Sequence, residues 1–187
     1  MAMAKKSQNS PHPESAPLDP PQNLPSYTYV PGLTPRPHLN GTDNWTFQDR
    51  MTQGTLLFNH GYYWEAHEIW EGAWITAGRR GVPADFIKAL IKMAASGVKM
   101  LERNEQGVQR HAARALELLT QVIEAPSAGV PAVDTVRALQ EFARHLVEQG
   151  RIATETERQR ACTGGVPLLG TLPDWTLPDW SFLNDTK

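Results

Sequence analysis

Proline decides where this chain can be helical. Nine of its fifteen prolines fall at positions 11, 13, 17, 20, 21, 25, 31, 35 and 37. Each lacks a backbone N–H and clashes with the preceding turn, so this stretch is closed to regular helix. Residues 1–24 read as a disordered tail. Tyr27, Tyr29, Val30 and Leu33 are apolar enough to lie across a folded domain as an extended strap. No further proline occurs before Pro83, which suits the first turn of a helix. Pro126 and Pro131 fall in a loop with Gly129. The last two belong to a repeat, Leu172-Pro173-Asp174-Trp175 and Leu177-Pro178-Asp179-Trp180. Proline every five residues excludes a helix there too.

Between these fences the apolar residues recur at helical spacing. Phe47, Met51, Gly54 and Phe58 mark a helix over about 45–58, capped by Asp43 or Thr46. Gly61 fits a left-handed helix end, and Asn59 can cap a second helix over 62–76. Phe86, Leu90, Met93, Ala94, Gly97 and Leu101 stripe a third over 84–102. Val108, Ala112, Ala115, Leu119 and Val122 stripe a fourth over 105–124, capped by Asn104. Val136, Leu139, Phe142, Leu146 and Val147 stripe a fifth over 135–149, capped by Asp134 and closed by Gly150. Residues 151–161 can form a short, loosely held helix.

The expected fold is all-α, a small antiparallel bundle of about five helices with proline-rich N- and C-terminal extensions. The divisions fall at 1–42, 43–150 and 151–187. Trp175, Trp180, Leu168, Leu169, Phe182 and Leu183 are too apolar for an idle tail. They are expected to dock on their own chain or, less favoured, to join two copies in a homo-oligomer.

The second helix holds the chemistry. Tyr63, Trp64, Trp70 and Trp74 share a broad arc at 100° per residue, with His67 and Glu71 in its middle. His67 and Glu71 are one turn apart and can touch. His111, at the edge of the fourth helix's apolar face, is the second histidine able to reach inward. Two ionisable groups buried among aromatics need partners.

The run Phe58-Asn59-x-Gly61-x-Tyr63-x-Glu65-Ala66-His67-Glu68-x-x-Glu71-x-x-Trp74 resembles the signature of the domain-of-unknown-function-309 family, whose core is His-x-x-x-Glu-x-x-Trp. The resemblance implies a small, soluble, all-helical intracellular protein and implies no activity. Family members often carry glutamine near Lys92, where this chain departs. A Tyr-Val-Pro-Gly segment, here Tyr29 to Gly32, is similar to one in longer members.

Three readings of the constellation Asn59, Tyr63, His67, Glu71, Trp74 and His111 compete. In the first, His67 and Glu71 form a buried polar pair that fixes packing, and Glu71→Ala would then cost about 2–4 kcal/mol. In the second, the protein is a metal-dependent, hydrolase-like enzyme. His67, Glu71 and His111 would hold a divalent metal, with Glu68 or Glu65 as a flanking base. The ligand pattern is incomplete, since no Glu-x-x-His or His-Glu-x-x-His motif occurs. A metal-free acid–base pair is a smaller variant. In the third, the aromatic arc lines a pocket for a small-molecule ligand between the second and fourth helices.

Other classes find less support. A net charge of −2 draws neither nucleic acid nor anionic lipid. Lys88, Lys92 and Lys99 read as a solvated face, with phosphate binding a minor alternative. No apolar run approaches the roughly 20 residues of a membrane span, and no signal peptide is evident. The single cysteine, Cys162, suits a reducing, cytoplasmic setting.

Overall fold

A computed structural model describes residues 24–39, 42, 44–125 and 129–173. Asp43, Pro126 and the Trp175/Trp180 repeat lie outside them, as does all but Leu24 of the expected disordered tail. Six helices are present among the described residues: α1 (Phe47–Asn59), α2 (Tyr63–Thr76), α3 (Val82–Leu101), α4 (Glu105–Glu124), α5 (Val133–Gln149) and the short α6 (Glu155–Ala161). No strand occurs among the described residues. The first five form an antiparallel bundle in which each helix packs on its sequence neighbour, as short connections require. No helix here is long and apolar enough to cross a membrane.

Local chemistry sets most of the boundaries. Thr46 opens α1 with a capping box. Its hydroxyl accepts the Asp49 N–H at 3.1 Å, and the Asp49 carboxylate accepts the Thr46 N–H at 2.9 Å. Pro83 sits in the first turn of α3, and Asn104 caps α4 through the Gly107 N–H at 2.8 Å. Gly150 closes α5 at φ +50°. Thr154 and Glu157 build a second capping box for α6.

Three local expectations are corrected. Asp134 is not the α5 cap; the helix begins one residue before it, and Asp134 is an exposed first-turn carboxylate. Asn59 is not the α2 cap, because its side-chain oxygen accepts the Leu172 N–H at 2.8 Å. Leu33 does not pack within the strap and stands 41% exposed.

The anticipated stripes of α1, α3 and α4 are buried, and Val30, Ala153, Ala161 and Leu172 join the same core. Two helix crossings are close. A Cβ on Gly97 would fall 2.4 Å from the Tyr63 ring, and one on Gly54 would fall 2.3 Å from Trp70 Nε1. Glycine lets α2 approach α3 and α1 at these points.

Two extended segments cover the bundle. The strap, residues 24–39, buries Thr28 and Val30. It lays the Tyr29 ring edge-on to Trp64 at 5.4 Å, with Arg36 over both rings. The arm after α6 crosses the α1–α2 turn, where Gly61 adopts φ +83° and the Val166 backbone leaves no room for a side chain. Leu168 and Leu169 pack on this chain's own core.

Candidate functional site

The buried residues of α2 are Tyr63, Glu65, Ala66, Ile69, Trp70 and Ala73. At 100° per residue they span an arc of roughly 160° centred near Ala73. His67, Glu71 and Trp74 lie off one edge of that arc, not in its middle. Large aromatics drew the sequence reading toward their side of the helix. Ala66 and Ala73 mark where the neighbouring helices come closest.

Glu65 occupies the opposite edge and is fully buried. Its carboxylate accepts the Thr28 hydroxyl at 2.7 Å and the Tyr29 N–H at 2.8 Å, tying the strap to α2. Burial pushes its carboxyl pKa up, against those hydrogen bonds. Sequence reasoning treated Glu65 only as a flanking base. Its angular position beside Ile69 was visible, but one of its partners is a backbone amide, which no residue identity announces.

Tyr63 is likewise fully buried. Its hydroxyl accepts the Leu169 N–H at 2.8 Å, and burial raises its pKa. Asn59 and Tyr63 thus both hold the C-terminal arm.

The other edge is open. Glu71 is exposed, so the expected buried His67–Glu71 pair is not formed. His67 and Glu68 keep 28% and 39% of their side-chain surface accessible, with His67 Nδ1 3.5 Å from a Glu68 oxygen. One ligand atom each from His67, Glu68 and Glu71 lies within 4.8 Å of the others. The Nδ1 atom of His67 is itself buried yet has no hydrogen-bond partner among the described residues, and the same holds for Nε1 of Trp70 and of Trp74. Trp70 Nε1 faces the Gly54 backbone. Trp74, half-buried, carries the Lys88 ammonium 5.8 Å from its ring centre.

His111 is not part of this triad. It lies half-buried in a concavity of α3 and α4. Burial, then Lys92, Arg110, Lys99 and His67, hold its pKa down at about 4. The pocket expected between α2 and α4 has its counterparts elsewhere. One cavity of about 420 Å³ opens beside His111. Another, of about 130 Å³, lies among α4, α5 and the arm.

Fold and site together define an all-α bundle protein with an open histidine–carboxylate triad on its second helix. Residues 51–111 match the family model described as a domain of unknown function, DUF309. The match runs from α1 to His111 and includes the whole triad. No curated protein and no solved structure matches the chain.

Proposed function

We propose that α2 carries a divalent-cation site, with His67 Nδ1 and the carboxylates of Glu68 and Glu71 as its protein ligands. The carrying observation is that one ligand atom of each group lies within 4.8 Å of the others, beside a His67 Nδ1 that has no hydrogen-bond partner among the described residues. A purely structural role is filled by Glu65, whose carboxylate has its donors. Among the described residues the triad fixes no neighbouring element in that way. One imidazole with two carboxylates suits zinc, manganese or iron better than calcium or magnesium. Three protein ligands leave positions for water or a substrate oxygen, which is what metal-assisted hydrolysis requires. A reducing, cytoplasmic setting belongs to the same proposal, supported by the free thiol of Cys162.

Calorimetric titration of chelator-treated protein with zinc and manganese tests the reading. One equivalent should bind. His67→Ala should abolish binding, and Glu71→Gln should weaken it by more than the roughly 10–100-fold that loss of a group behind the ligands costs. Absence of saturable binding by either ion would remove the proposal.

A further inference from the structure

The concavity between α3 and α4 has a charge pattern that the cation site does not use. It is lined by Lys92 from α3 and by Arg110, His111, Ala113, Arg114 and Glu117 from α4. The Arg114 guanidinium donates to the Glu117 carboxylate at 2.7 Å, so those two charges cancel. Lys92 and Arg110 have no ion-pair partner among the described residues. The concavity therefore holds two uncompensated positive charges in a chain whose net charge is −2. General basicity of the sequence does not explain them.

We propose that this concavity binds the phosphoryl group of a small phosphorylated molecule. A phosphate monoester carries close to two negative charges at neutral pH, which matches Lys92 and Arg110 together. Arg110 offers a planar fork suited to two phosphate oxygens, and Lys92 a point charge. A volume of about 420 Å³ suits a small molecule and not merely an ion. His111 supplies a neutral ring at physiological pH, able to donate one N–H. The surrounding cations that lower its pKa are the field an anion would meet. The anion site does not require the cation, and the two proposals fail separately.

The test is calorimetric titration of the full chain with phenyl phosphate, at low salt and with chelator present. Saturable one-to-one binding is expected. Lys92→Gln and Arg110→Gln should each weaken it tenfold or more, with unchanged thermal melts. Lys88→Gln, on the same helix but against Trp74, should leave it within twofold. Absence of saturable binding would overturn the proposal. So would equal weakening by Lys88→Gln, since the attraction would then be diffuse and not local. Because chelator is present throughout, loss of the cation reading leaves this result standing.

Discussion

The covered and the open faces of α2 both carry carboxylates, with opposite fates. On one edge Glu65 is sealed beneath the strap, and its carboxylate receives two donors. On the open face of the helix, His67, Glu68 and Glu71 bring one ligand atom each within 4.8 Å of the others, and a buried imidazole nitrogen has no partner among the described residues. Burial of a charged group is tolerated where its hydrogen bonds are complete. Partly exposed groups left incomplete are free to serve a ligand. A carboxylate on this helix is therefore structural or available according to what covers it, not according to its distance from the aromatics.

The largest test of that contrast is Glu65→Ala. It strands the Thr28 hydroxyl and the Tyr29 N–H beneath the strap, and the unmade bonds should cost about 2–4 kcal/mol in urea unfolding. A loss under about 1 kcal/mol would show that the strap is not held from this edge.

A smaller effect should come from His111 on the open side. Its pKa is about 4 in the folded chain against an ordinary 6.5. The unfolded chain takes up the proton first, so stability falls as pH drops from 6.5 toward 4. His111→Gln should reduce that acid loss when melts are compared across the window. Solvent screening of a half-exposed ring keeps the change modest. Identical pH profiles would mean that burial and the neighbouring cations do not hold the ring's pKa down.

The smallest expected effect is Glu71→Ala in metal-free protein. An exposed glutamate without a structural partner should cost below about 0.5 kcal/mol, not the 2–4 kcal/mol that a buried pair implies. A large loss would return Glu71 to the structural side and reverse the comparison.

Much of the bundle was legible in the sequence. Thr46, Asn104, Pro83, Gly61 and Gly150 work through their own backbone or through groups within three residues, so their roles appear in local order. Asp134 misled because α5 starts just before it without a side-chain cap. Asn59 misled because the group it serves, the Leu172 N–H, is 113 residues away. The site was half legible. Spacing brought His67 and Glu71 together and placed Glu68 beside them. It could not place Glu65 under the strap or move His111 out of the constellation.

The sequence by itself determined that the chain is helical, where most of the helices run and which stripes they bury. Those properties depend on proline, glycine, caps and a 3.6-residue period, all of which act over one or two turns. The tertiary structure alone decided which edge of α2 is covered. The strap and the arm bind through backbone amides and carbonyls, Tyr29 N–H to Glu65 and Leu169 N–H to Tyr63 among them. Backbone groups are the same at nearly every residue. Their pairing follows from the path of the chain in space and cannot be read from the order of its side chains.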